Sequence, residues 1–274
     1  MLEVCIDSFE SAMNAALGAA DELEVCSCLS QGGLTPSAGL VSRIIREVKQ
    51  QGRKPAPKSV HPFGSLDARP KINVMIRCRP GSDFCYTDDE MATMLEDIDV
   101  FKKMAVDRFV FGSLTAGREI DTGNCHKVIA RAKPLPVTFH RAFDLCRDPI
   151  GGIDCISDMG FSRLLTSGQM SSAAHKDALS LIKNLLKQCN SNWSDIEVMP
   201  GSGVTPDNVQ EFMKLGCKIV HSSCKKVRIL NKFNNDLNMG DLDSVFVTDK
   251  KVVQDMKGQM ERPGVCVGFL AFDC

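Results

Sequence analysis

The chain has 274 residues, 43% hydrophobic and 24% charged, with a formal net charge of −1, which is enough material for a sizeable core. That balance leaves no basic footprint for nucleic acid or an anionic membrane, and no apolar run approaches the roughly 20 residues needed to span a bilayer. Thirteen cysteines, scattered singly and with Glu3 and Asp7 interrupting any secretory leader, read as reduced, mostly core thiols and argue against a C-x2-C…C-x2-C structural-zinc framework.

The first element is a strand over 2–7, in which Leu2, Val4 and Ile6 alternate with Glu3, Cys5 and Asp7. Ser8 then caps a helix carrying Phe9, Ala12, Met13, Ala16 and Leu17 on one face, closed by Gly18. A second strand over 22–27 repeats the rhythm, with Leu23 and Val25 against Glu22, Glu24 and Cys26. Residues 50–71, rich in Pro, Gly and basic side chains, read as an exposed insertion between a helix and the next strand, with His61 solvated. A third strand spans 72–77, and Thr87 with Glu90 forms a capping box for a helix bearing Met91, Met94, Leu95, Ile98 and Phe101. Met91-x-x-Met94 has the spacing of a copper-transport motif, but its apolar helix face makes it core.

Further strands are expected near 108–112, 135–140, 162–166, 195–199 and 217–221. Thr205-Pro206 is expected to start a helix carrying Val209, Phe212 and Met213 and ending at Gly216. The polar stretch 222–243 leaves the last strand on the functional face and is expected to cover the site as a lid, and a helix near 249–260 closes the ring. Eight strands, each followed by room for a helix, predict a single (β/α)8 TIM-barrel domain over 1–274, in the α/β class. A doubly wound sheet is the second choice, since GxGxxG is absent after the first strand.

In such a barrel the outward strand face meets helices while the inward face fills the interior. Strand parity sends Glu3, Cys5, Glu22, Glu24, Cys26, Arg77 and His140 inward, with Arg79 next in the parity of Arg77. Inward positions of a merely structural barrel are mostly Val, Ile and Leu. Buried unpaired charges cost several kcal/mol each, so these groups form either a satisfied Glu–Arg plug or a site.

The segments LEVCIDSFESAMNA, ELEVC, GGLTPS, MIR, DFCYTD, PVTFHRAFD, LLTSG and VMPGSGVT, in that order, resemble the CutC copper-homeostasis family over nearly the whole chain. The resemblance implies a single TIM barrel, an intracellular location (cytoplasmic, with the nucleus as a second expected compartment), homo-oligomerisation as dimer or tetramer, and a role in copper handling. It also implies that Cys5 and Cys26 match the Cu(I) ligands proposed for animal-type members. Three loops depart from the family pattern: Ile76-Arg77-Cys78-Arg79-Pro80-Gly81-Ser82-Asp83-Phe84 is one residue longer, Ser202 replaces a glycine, and Cys224 replaces an alanine.

Two function classes follow. Cu(I) is soft and favours thiolates, and inward cysteines at similar height on adjacent strands about 4.8 Å apart would share one ion. Zn2+ is expected to compete poorly at two thiolates unless Asp7 or Glu24 joins, and Cys28 contributes if its strand continues. The alternative is a lyase or isomerase acting on a small phosphorylated or carboxylated metabolite. Its catalytic candidates are Glu24, His140 and Asp144, and its anion-binding candidates are Arg77, Arg79, Arg141, Gly201 and Gly203. No inward lysine, H-x-H, H-E-x-x-H, P-loop or serine elbow is present, which argues against Schiff-base, zinc-hydrolase, nucleotide and serine chemistry.

Overall fold

The computed structural model describes residues 1–51, 69–192, 195–230 and 244–262. Eight parallel strands form the barrel: β1 (Leu2–Ile6), β2 (Glu22–Val25), β3 (Lys71–Met75), β4 (Arg108–Phe111), β5 (Val137–Phe139), β6 (Arg163–Thr166), β7 (Glu197–Pro200) and β8 (Val220–Ser222). Consecutive strands from β1 to β7 are paired, and β1 also pairs with β8, so the ladder runs from β7 round to β8. The seam between β7 and β8 is close. A Cβ added to Gly201 would lie 3.2 Å from the Cβ of His221.

Helices α1 (Phe9–Leu17), α2 (Ala38–Gln51), α3 (Asp88–Lys102), α4 (Thr122–Ala132), α5 (Pro149–Asp158), α6 (Lys176–Ser191), α7 (Val209–Leu215) and α8 (Lys250–Met260) surround the strands, completing a (β/α)8 barrel. The side chain of Ser8 accepts from Ser11 N at the start of α1, and Thr87 with Glu90 forms a reciprocal capping box on α3. Leu2, Val4, Ile6, Leu23, Val25, Ile72 and Val74 point outward into one apolar layer shared with the helices, where Met91 and Met94 are also buried. Full burial of each such aliphatic side chain stabilises the fold by about 1.5–3 kcal/mol.

Three expectations are corrected. Thr205-Pro206 forms a turn, because Thr205 N donates to Asn208 Oδ1 and α7 starts only at Val209. The last barrel strand lies at 220–222 and not 217–221, since Gly216 ends α7 in the left-handed region (φ +99°) and the chain needs further residues to re-enter the barrel. The described parts of 222–243 and its flank form an antiparallel pair, β9 (Lys225–Ile229) with β10 (Ser244–Thr248). This pair packs beside α1, through Arg228–Glu10 and Thr248 N donating to Ser11 Oγ, rather than forming a polar loop. The remainder of the expected lid, 231–243, and most of the 50–71 insertion with His61 lie outside the described residues.

Candidate metal centre in the barrel interior

The inward face is polar at two depths. Nearer the N-terminal end, Arg163 on β6 is 1% exposed and makes hydrogen bonds to Glu22 Oε2 (2.7 Å) and Glu197 Oε2 (2.9 Å), with Glu3 Oε2 3.5 Å away. Asn73 donates to Glu22 (2.7 Å) and to Glu3. Burial by itself would raise the Glu22 pKa, but the hydrogen bonds and charge of Arg163 outweigh it and hold Glu22 below the usual carboxylate range. Arg108, also buried, donates to Ser162 Oγ and Thr138 Oγ1. This depth is an ionic plug.

One step toward the C-terminal end, the chemistry changes. The β1–β2 register sets Cys5 beside Glu24, and the β1–β8 register sets Glu3 beside His221. One ligand atom each from Cys5, Glu24 and His221 lies within 4.8 Å of the other two, and all three residues are buried. His221 Nε2 is 3.0 Å from Glu24 Oε2 and 3.9 Å from Glu3 Oε1. Glu24 Oε2 also accepts from the Cys26 thiol at 3.7 Å. The other oxygens, Glu24 Oε1 and Glu3 Oε1, are buried without a hydrogen-bond partner. A buried anionic oxygen without a donor is costly, so this depth has acceptor capacity for a cation beyond what the protein supplies.

The electrostatics follow from burial. Burial alone would lower the His221 pKa, but Cys5 and Glu24 outweigh it and push it well above the ordinary imidazole value. Burial, then the charge of Glu24, raises Glu3 to about 7. Burial, then Glu24 and Cys5, pushes the Cys26 thiol well above its ordinary value. A metal ion at this spot would reverse that last effect, since coordination deprotonates a thiol outright.

The two cysteines share the inward face but not one height. Cys5 sits opposite Glu24, so Cys26 is two residues further along β2, roughly 6.6 Å up the barrel. This corrects the expectation of level sulfurs; Glu24 stands between them. Cys26 packs with Met75, Val110 and Leu29 under Gly33, where a side chain would press on its sulfur. Cys28 does not extend this face. The β2 strand ends at Val25, and Cys28 is exposed in a left-handed conformation (φ +48°). Asp7 accepts from Leu29 N.

The remaining candidates sit higher in the barrel and are engaged by protein partners. Arg77 donates to the carbonyls of Gln31, Gly33 and Gly81. Arg79 pairs with Asp83 and Glu90 and donates to Cys85 O. Arg141 pairs with Asp144, whose two oxygens also accept from Thr166, Ser167 and Gln169, tying the loop after β5 to the loop after β6. His140 Nδ1 accepts from Ala142 N, so Nε2 carries the proton, and Nε2 is buried without a partner. Burial, then the charge of Arg77, lowers its pKa to about 3 and keeps the ring neutral. Gly201 is buried against Leu165 and His221, and Gly203 (φ +77°) packs against Ser172.

Sequence reasoning passed over His221, Arg163 and Glu197 as inward residues. The signal existed for His221, which shares parity with Ile219 on the eighth strand, but setting that strand at 217–221 left the histidine at its end.

The chain matches the CutC family model over residues 1–226. It is 42% identical over 229 residues to the human copper homeostasis protein cutC homolog, covering 83% of this chain and 74% of the relative. It is 36% identical over 269 residues to a CutC family protein of Citrobacter koseri, covering 96% of this chain and 98% of that one. Among solved structures, the copper homeostasis protein CutC of Streptococcus agalactiae superposes with a TM-score of 0.68 at 28% identity, over 81% of this chain and 98% of that chain. A thiamine phosphate pyrophosphorylase of Pyrococcus furiosus shares the fold alone, with a TM-score of 0.54 at 14% identity over 95% of each chain. The match runs over residues 1–226 and takes in all eight barrel strands: the chain belongs to the CutC family.

Proposed function

We propose that this chain serves in copper homeostasis by binding Cu(I) as cargo inside the barrel, with Cys5 as the anchoring thiolate and Cys26 as the second sulfur. The observation that supports this reading best is the gathering of both thiols around the Glu24 carboxylate, beside buried carboxylate oxygens that lack a donor. Soft sulfur favours Cu(I) over harder cations. The copper-homeostasis role for which the human relative is named points the same way. The engagement of Arg77, Arg79 and Arg141 by protein acceptors gives the enzyme reading less support than the thiols give copper. Thiolate-bound Cu(I) belongs in a reducing compartment, so the proposal extends to cytoplasmic residence.

Anaerobic Cu(I) titration against a competing chelator tests it. Cys5→Ser and Cys26→Ser should each weaken binding sharply, because a hydroxyl is a hard and poor partner for Cu(I). Cys155→Ser and Cys189→Ser, on α5 and α6, should leave binding unchanged. An unchanged affinity in the folded Cys5/Cys26 double variant would overturn the reading.

A further inference from the structure

Two sulfurs do not account for the whole cluster. Around Cys5 Sγ the structure sets an imidazole nitrogen from β8 and a carboxylate from β2, all within 4.8 Å of one another. This is a sulfur, nitrogen and oxygen donor set drawn from three consecutive positions of the barrel ladder, β2, β1 and β8. A two-coordinate soft ion has no use for the last two. Borderline Zn2+ binds all three donor types, commonly through three protein ligands with one position left open. A second observation points to a missing cation independently. Glu24 Oε1 and Glu3 Oε1, on side chains 3% and 0% exposed, lack a hydrogen-bond partner, and the only charge the structure sets near Glu3 Oε1 among the described ion pairs is His221 Nε2 at 3.9 Å.

We propose that Cys5, Glu24 and His221 form a second, divalent-ion site of the Zn2+ class, with Glu3 behind it as a charge-balancing carboxylate. Tetrahedral coordination at bond lengths of about 2.0–2.3 Å brings ligand atoms to roughly 3.6 Å from one another. The widest separation, at most 4.8 Å, therefore closes by about 1 Å while the 3.0 Å contact between His221 Nε2 and Glu24 Oε2 opens slightly, both within the reach of small χ rotations. The packing already limits the position of one ring: Gly201 has no Cβ because Leu165 and the His221 ring occupy that space, so the imidazole is held on the Glu24 side. The site rests on the copper reading only in sharing Cys5, which makes the two occupancies mutually exclusive. Its remaining ligands are distinct, because Cys26 belongs to the copper pair alone.

The test uses the full-length protein, freed of metal by chelation, and titrates Co2+ alone as a spectroscopic stand-in for Zn2+. The expected result is one Co2+ per chain, with visible bands of tetrahedral intensity and a near-ultraviolet sulfur-to-cobalt band, all bleached by Zn2+. Cys5→Ser should abolish the sulfur band, and His221→Gln should weaken binding by more than about 100-fold, since losing even a supporting partner costs 10–100-fold. Cys26→Ser, which keeps a hydroxyl donor for Glu24 Oε2, should retain the sulfur-to-cobalt band while impairing Cu(I) binding, which separates failure here from failure of the copper reading. Should His221→Gln not fold, Glu24→Gln, of equal volume, carries the same expectation of weakened Co2+ binding. Absence of the sulfur band in the unaltered protein, or indifference to both His221→Gln and Glu24→Gln, overturns the site. Loss of the band in Cys26→Ser overturns it too, by assigning the divalent ion to the two thiols.

Discussion

Arg163→Met removes the cation that, alone among the described residues, hydrogen-bonds both Glu22 and Glu197 in the barrel floor. Methionine fills much of the space, so packing changes little; what changes is that Glu22, 1% exposed, loses its principal counter-charge. Breaking a buried pair by removing one partner costs about 3–5 kcal/mol. At about 2–4 °C per kcal/mol for a domain of this size, the melting temperature falls by roughly 6–20 °C. Differential scanning calorimetry and urea unfolding at pH 8 measure it. The pH dependence adds a sharper signature. In the unaltered protein Glu22 titrates below its ordinary 4.5, so its contribution is present above that value and is lost as pH falls through the folded pKa. In the variant, burial acts on Glu22 without the opposing arginine, the folded state gains protons on acidification, and the stability deficit shrinks between pH 8 and pH 5. Adding Glu22→Gln should recover part of the loss at pH 8. A deficit under about 1 kcal/mol, or one that stays constant from pH 8 to 5, would refute the assignment of a cooperative ionic plug.

Glu3, raised to about 7, holds a proton in the folded state that the unfolded chain has lost above 4.5. Its contribution therefore makes stability fall as pH rises from about 4.5 to 7, by about 3 kcal/mol, and Glu3→Gln should flatten that slope in unfolding curves taken across the window. His140, lowered to about 3, should remain a neutral ring with the proton on Nε2 from pH 8 to pH 5 in 15N spectra; a midpoint near 6.5 would contradict its enclosure. Gly112→Ala would drive a methyl group into the His140 ring, and overpacking of this kind should cost about 1–3 kcal/mol by urea unfolding. An unchanged midpoint would mean that the histidine does not fill that space.

Strand parity carried most of what the sequence disclosed. The alternation of Leu2, Val4 and Ile6 with Glu3 and Cys5 fixes which side chains enter the barrel, because a period of two admits no other assignment once one face is buried. Parity does not fix height. Whether Cys5 stands level with Glu24 or with Cys26 depends on the stagger between strands, which closure of the whole barrel sets and no local pattern records. The same gap hid the split of the acids into two depths: Glu22 serves the plug and Glu24 the cluster with Cys5 and His221, although the two are alike in parity and type. Arg163 and Glu197 meet across the ladder from strands whose sequence patterns were read only for their apolar residues. The helix expected from Thr205-Pro206 is present but starts only at Val209, for a local reason: the side chain of Asn208 captures the amide of Thr205 and makes a turn.

The central claim is that copper rests on the sulfur of Cys5. X-ray absorption at the copper edge, on protein loaded anaerobically with one Cu(I) per chain, tests it most directly. The account predicts a Cu(I) edge with two sulfur scatterers in the unaltered protein, one fewer in Cys26→Ser, and loss of the stoichiometric complex in Cys5→Ser. A spectrum fitted by nitrogen and oxygen alone, or one that Cys5→Ser leaves unchanged, would contradict it.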